Sequence, residues 1–304
     1  MVNIERLEFR LAQEEDISQM VEIMNAEYRR KKNSEYFRWQ YFNSYYPTVL
    51  YCAFENEKLI GMFGLQKRKL NNGVKVGQAI DLLVIPEWRG KGVFFELGKH
   101  AIEHFKDLDI LCVFPNLKGK RACEKTLNWK TISRINSLVL ERQAFKKLSL
   151  IEIRKLGLKL IKDKYLMQFE YNEEINSWRF DNNPEYEYYK ISSRSGIYAI
   201  TKLFRDPVEK KLYGDIVNFK WNFRDEKLFF ELVFKAINFL FDKGVELITT
   251  WSLPHTEMYK FFTNIGFKEV EQERYFCLDI LKRRYKFLYD IKRWNFVQSD
   301  AEIY

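Results

Sequence analysis

The stretch IDLLVIPEWRGKGVFFELGKHAIEHF, Ile80 to Phe105, decides how this chain is to be read. Ile80 to Ile85 is an apolar run of strand length, Pro86 ends it, and from Val93 onward the apolar residues recur at helical spacing. Between them lies a basic turn with two glycines, which brings backbone amides to a helix start. Gly90, Lys91, Gly92, Val93 and Phe94 can there cradle a pyrophosphate, aided by the helix dipole and by Arg89 and Lys91. The turn fits neither GxxxxGK[ST] nor GxGxxG, which argues against a nucleoside triphosphatase and a dinucleotide dehydrogenase.

The rest of the sequence bounds the possibilities. A chain of 304 residues exceeds one ordinary core, so two domains are expected. The excess of 51 basic over 42 acidic residues, +9, favours anionic partners without choosing among nucleotides, phosphorylated metabolites, nucleic acids and membrane surfaces. Cys52, Cys112, Cys123 and Cys277 form no CxxC pair and read as reduced, buried thiols. The charged start MVNIERLEFRLAQEEDI is unlike a signal peptide, and no apolar run has membrane-spanning length. A cytoplasmic protein with no membrane span is expected.

Around the quoted stretch the order is strand, helix (about Asp16 to Tyr28), three antiparallel strands turning at Glu55 to Lys58 and Asn71 to Gly73, helix, strand, helix, strand. The sequence then repeats. FFELGKHAIEHFKD from Phe94 and FFELVFKAINFLFD from Phe229 agree at seven of fourteen positions. In the same order, FRWQYFNSYYP is echoed by SWRFDNNP, GQAIDLLV by GDIVNFKW, and DILCVFPNLKGKRACEKTLNWK by ELITTWSLPHTEMYKFFTNIGFK. Four echoes in one order make the chain two versions of one unit. The expected domains are residues 1–142, a connecting basic amphipathic helix over 143–166, and 167–304. The connector's composition would also suit a helix lying on a membrane surface.

The copies differ at the turn: PEWRGKGVF in the first, NFRDEKLF in the second, which lacks glycine and adds Asp225 and Glu226. Acidic side chains repel phosphate, so only the first copy should hold an anion. Asp81 interrupts an apolar strand beside the turn and is the candidate base; hydrogen bonding to a loop or a substrate hydroxyl is the other explanation. HAIEH, His100 to His104, has zinc-site spacing, but its repeat counterparts are Lys235 and Phe239 and no metal site is expected. Asn116, before a turn, can hold the extended arm of a bound cofactor or a second substrate, and His255, placed opposite it in the repeat, can face that substrate; either can simply shape a turn.

With DLLVIPEWRGKGVF at its centre, the layout resembles the GNAT superfamily of acyl-CoA-dependent N-acyltransferases. Arg89 and Gly92 match the first and fourth positions of its phosphate-turn signature; Phe94 stands at the sixth, where the family has a small residue. The resemblance covers Leu7 to about Glu141 well and the second copy weakly. It implies an α/β (α+β) protein of tandem GNAT folds, each a mixed, mostly antiparallel sheet flanked by helices. It also implies acyl-CoA as co-substrate, with pantetheine pairing near Leu83 and Val84 where one strand diverges from Asp109 to Phe114. An amine would then attack the thioester directly, with an amide near Val84 stabilising the oxyanion.

Duplicated GNAT proteins of this kind resemble N-acyltransferases of nucleotide-linked amino sugars in bacterial surface glycan biosynthesis, the anthrose-pathway type, acting on a dTDP-4-amino-4,6-dideoxyhexose. Aromatic residues such as Trp39 would stack the base, and His255 would face the acceptor. Two alternatives are a Fem-like transferase using aminoacyl-tRNA and a non-enzymatic basic nucleic-acid-binding protein.

Overall fold

The computed structural model describes residues 4–28, 31–193, 196–206, 210–221 and 225–301. The chain forms two compact units. The first comprises Met1–Ser133, Glu170–Glu185 and Tyr275–Tyr289; the second comprises Arg134–Phe169, Tyr186–Arg274 and Asp290–Tyr304. The units therefore do not follow the 142/167 boundaries expected from the sequence, because short segments of each half fold with the other.

In chain order the first half supplies β1 (Glu8–Leu11), α1 (Ile17–Glu27), α2 (Ser34–Phe37), β2 (Thr48–Glu55), β3 (Lys58–Lys69), β4 (Lys75–Val84), α3 (Val93–His104), β5 (Ile110–Val113), α4 (Leu117–Thr126), β6 (Lys130–Arg134) and β7 (Ser137–Glu141). The second supplies α5 (Leu150–Lys155), α6 (Glu173–Asn176), β8 (Tyr188–Ser192), β9 (Tyr198–Arg205), β10 (Leu212–Lys220), α7 (Glu226–Asp242), β11 (Leu247–Thr250), α8 (Glu257–Asn264), β12 (Lys268–Val270) and β13 (Tyr275–Ile280).

One sheet has the order β1-β2-β3-β4-β5-β13-β6, the other β8-β9-β10-β11-β7-β12. The first has seven strands and the second six, β1 having no counterpart; the other six match in order, except that β7 and β13 have changed places. Each sheet contains one parallel pair, β4 with β5 and β10 with β11. The architecture is thus mixed α/β with two sheets flanked by helices.

Local sequence accounts for the elements. Asn56 and Glu57, both at positive φ, make the two-residue turn between β2 and β3. Val93, Leu97 and Ala101, spaced by four, give α3 its fully buried stripe. Gly98 lies within that stripe, where a Cβ would stand 3.0 Å from Leu127 and 3.2 Å from Phe63.

The basic segment after β7 is not one helix. It forms a 3-10 turn at Arg142–Ala144, the six-residue α5, and a second 3-10 turn at Leu160–Tyr165. Gly157, at φ +62°, breaks it between α5 and the second turn. Asp163 then anchors it, accepting the backbone N–H groups of Glu257 and Met258 at the start of α8, each at 3.0 Å.

Candidate active site

The site is built where β4 leaves β5. The two strands pair only over Val76–Gln78 and Ile110–Cys112, and the β5-side edge of β4 is unpaired beyond that. Against β3, the register jumps from Gly64 opposite Ile80 to Met62 opposite Leu83, so Asp81 and Leu82 together face Phe63. This is a β-bulge, which re-aims side chains and bends the strand. Asp81 takes φ +47°, a conformation that aspartate tolerates better than most residues. Ile85 N–H donates to Ile60 O at 2.9 Å, so alternation turns the N–H and C=O of Val84 to the opposite, open edge.

Asp81 is held by two phenols. Tyr36 OH donates to its Oδ2 at 2.9 Å and Tyr41 OH to the same oxygen at 2.7 Å. Residues five apart lie about 140° apart around an α-helix of 3.6 residues per turn. The two hydroxyls converge because α2 runs into a π turn at Arg38–Phe42, closed by Asn43 N–H on Arg38 O at 2.7 Å. Gly64 leaves the room, since a Cβ there would stand 2.6 Å from Tyr41 OH. Lys32 Nζ lies 3.6 Å from the centre of the Tyr36 ring and pairs with Glu185 at 2.5 Å.

Burial pushes the Asp81 carboxyl above the ordinary aspartate range, outweighing Lys32 and the two phenols, which favour the charged form. A carboxyl so raised is a better proton acceptor than a solvated one.

The glycine turn follows a 3-10 turn at Pro86–Trp88. Gly90 and Gly92 both take positive φ, +73° and +90°, and Gly92 caps α3. A Cβ at Gly90 would meet nothing within 4 Å; one at Gly92 would stand 2.7 Å from Ile4 Cδ1. Phe95 and Glu96 N–H bond to Gly92 O, leaving the N–H groups of Val93 and Phe94 without an acceptor inside the helix. Lys91 Nζ sits 4.9 Å from the Trp88 ring centre.

Arg89 departs from expectation. Its Nε donates to Val84 O at 2.8 Å and its guanidinium pairs with Glu27 at 2.8 Å. It closes the turn onto the strand end, and the charge offered to an anion falls to Lys91 and the amides. Phe94, half-buried, tilts against Phe63 with ring centres 5.6 Å apart. The donors and the open strand edge fit an anionic, amide-bearing ligand such as CoA: Gly90, Lys91, Gly92, Val93 and Phe94 would hold its diphosphate and Val84 N–H its pantetheine, whereas Leu83, one residue earlier, turns its N–H and C=O toward β3 and would only line that edge.

Other expected residues are engaged elsewhere. Asn116 caps α4, accepting Gly119 N–H at 2.9 Å. Its structural counterpart is Thr256, which caps α8 by accepting Tyr259 N–H at 3.1 Å, and not His255. His255 belongs to the second unit and bonds to the Trp294 carbonyl at 2.9 Å. Trp39 is buried, stacked on Trp178 at 4.5 Å, and their indoles bond reciprocally to each other's carbonyls at 2.8 and 3.3 Å. It presents no face to a base, because the two halves of the repeat pair there. His100 stacks on Phe9 and Tyr51. Among the described residues no group of three or more His, Cys, Asp or Glu could hold a metal.

In the second unit the same region is closed. β10 bulges between Ile216 and Asn218, and Asn218 stands where Asp81 stands in the repeat. Thr250 Oγ1 donates to Ile216 O at 2.9 Å, and Thr249 donates to Asp215, which pairs with Lys202 at 3.0 Å. Phe229, the counterpart of Phe94, is fully buried against Trp221, ring centres 4.4 Å apart. Of the turn NFRDEKLF, Asn222 to Arg224 lie outside the described residues; Asp225 caps α7 by accepting Leu228 N–H at 3.1 Å.

Residues 17–127 match the acetyltransferase (GNAT) family. The match lies within the first copy of the repeat and takes in the glycine turn and Asp81.

No curated protein sequence matches the chain. Among solved structures, the chain is similar to a tandem GNAT protein from the clavulanic acid biosynthesis pathway, at 13% identity over 90% of this chain and 98% of that one, TM-score 0.54. It is similar to a GCN5-related N-acetyltransferase from Anabaena variabilis at 13% identity, covering 90% of this chain and 73% of that one, TM-score 0.62. A third is the glucosamine N-acetyltransferase region of a fungal multi-domain β-N-acetylglucosaminidase, at 14% identity over 89% of this chain, TM-score 0.57. The chain spans 38% of that protein's length. These likenesses establish the GNAT fold across both sheets.

Asp81 stands out in the sequence as a polar residue in an apolar strand. Tyr36, Tyr41, Lys32 and Glu185 do not. The signal that would have found them is the repeat itself, in which Tyr36 and Tyr41 give way to Ile175 and Phe180 while Trp39 is kept as Trp178.

Proposed function

We propose that the protein is an acyl-CoA-dependent N-acyltransferase that acylates the amino group of a nucleotide-linked amino sugar, of the dTDP-4-amino-4,6-dideoxyhexose type, in bacterial surface glycan biosynthesis. The observation that carries the transferase reading is the concerted change between the copies. Tyr36, Tyr41 and Asp81 meet in the first, and their counterparts Ile175, Phe180 and Asn218 are non-ionisable in the second, whose strand split is closed. A purely structural network has no reason to vanish together with a phosphate turn.

Bound acyl-CoA would supply the acyl group: the amine nitrogen bonds to the thioester carbonyl carbon, the C–S bond breaks, and CoA leaves as a thiolate that takes up a proton to become the free thiol. Asp81 accepts the proton of the incoming amine while Tyr36 and Tyr41 fix its orientation. Val84 N–H, on the open edge of β4, would donate to the carbonyl oxygen as negative charge develops. The amino-sugar acceptor is supported by the fungal neighbour, described as a glucosamine N-acetyltransferase region, and by the net charge of +9, which suits a nucleotide diphosphate.

Free-thiol release from acetyl-CoA, followed with a panel of amines that includes dTDP-linked 4-amino sugars, tests both parts. Turnover with other amines alone would move the acceptor, and no release with any amine would remove the activity. Gly92→Glu places a carboxylate at φ +90° in the phosphate turn and should weaken CoA binding at least ~100-fold by calorimetry. Unchanged affinity would displace the cofactor from this turn.

A further inference from the structure

The segment from Lys146 to Tyr165, within the second unit, carries a surface that the transferase reading does not use. Lys146, Lys147, Arg154, Lys155, Lys159, Lys162 and Lys164 are all exposed. Its two acids are occupied: Glu152 accepts Ser149 N–H in a capping box, and Asp163 is buried under α8. Among the described residues, the two most exposed large apolar side chains are here, Tyr165 at 75% and Ile151 at 67%, with Ile161 at 39%.

The arrangement is ordered by the fold. In α5, Ile153 is buried, while Ile151, Arg154 and Lys155 share the opposite face at i, i+3 and i+4. In the 3-10 turn Leu160–Tyr165, residues three apart eclipse one another. Leu160 and Asp163 point inward, and Ile161 pairs outward with Lys164, Lys162 with Tyr165. Each outward apolar side chain therefore has a cation beside it.

We propose that this segment docks the protein on an anionic lipid bilayer. Ile151, Ile161 and Tyr165 enter the headgroup layer, and the lysines reach lipid phosphates with their stems lying along apolar surface. Nucleic acid is the other polyanion. It gains from stacking aromatics and forked arginines, whereas six of the seven cations here are lysines and two of the three apolar anchors are aliphatic.

Co-sedimentation of the full chain with vesicles decides the matter. The protein should pellet with phosphatidylcholine vesicles containing phosphatidylglycerol, not with phosphatidylcholine alone, and high salt should release it. Lys162→Glu with Lys164→Glu should lower partitioning by roughly fivefold per lysine or more, and Ile151→Ser with Tyr165→Ser should lower it at unchanged charge. Both variants change exposed side chains and should keep the melting temperature and solution turnover. Equal binding to both vesicle types, variants that bind like the parent, or binding to duplex DNA without binding to vesicles would each overturn the proposal.

Discussion

Two strand pairs descended from one ancestor end differently. β5 reads Ile110, Leu111, Cys112, Val113; β11 reads Leu247, Ile248, Thr249, Thr250. Both leave their parallel partners after three residues. Val113 has no group with which to bridge the gap, and β4 stays open beside its bulge. Thr250 reaches across to Ile216 O, Thr249 bonds to Asp215 and accepts from Gln298 Nε2 at 2.7 Å, and Trp221 packs against Phe229. The comparison teaches that an opening in a sheet is a state the sequence must defend: where β5 is apolar the split stays open, and where β11 carries two hydroxyls it is bridged, with Gln298 bonded to one of them.

If the open copy is the working one, Asp81→Asn should have the largest effect. Turnover should fall by about 10²- to 10⁴-fold with CoA affinity unchanged. The same change should raise the melting temperature at neutral pH. Because the folded carboxyl titrates above its unfolded value, its burden is absent below the unfolded pKa of about 4 and grows as pH rises through the folded one. A variant with parental turnover would break the comparison.

Trp178→Ala should come next, costing about 3–5 kcal/mol in thermal or denaturant unfolding, since it empties a buried indole stack to which each copy contributes one ring. A cost below about 1 kcal/mol would mean the paired turns are ornamental. Tyr41→Phe, which moves the first copy toward Phe180 of the second, should lower turnover about tenfold. Its phenol favours the charged form of Asp81, so removing it should shift the acidic limb of the pH–rate profile to higher pH. The smallest effect is expected for Thr250→Val, about 1 kcal/mol of stability from one lost bridging hydrogen bond. CoA stoichiometry should remain one per chain in that variant.

The sequence carried the strand–turn–helix at Ile80 to Phe105, the repeat and the break that Asp81 makes in an apolar strand, because each rests on local periodicity or on a polar residue out of place. It did not carry the bulge, since an extra residue in one strand is visible only against its partner. Nor did it carry the convergence of Tyr36 and Tyr41, whose spacing is wrong for an α-helix and right only for a π turn. Arg89 looked like a phosphate ligand because its charge was legible and its bonds to Val84 and Glu27 were not. The exchange of β7 and β13 was invisible for a different reason. Alternation tells which face of a strand is buried, and it is indifferent to which sheet does the burying.

That exchange has a consequence for biosynthesis. The first sheet receives β13, Tyr275–Ile280, between β5 and β6. A nascent chain that has emerged as far as Glu141 therefore has the whole glycine turn and the candidate base, yet lacks the strand that seals the sheet carrying them. Neither half can be finished while the ribosome is still making the other, so maturation is a single late event and not two successive ones. Cutting the gene between the repeats should give two fragments that stay incomplete alone and complement one another when made together.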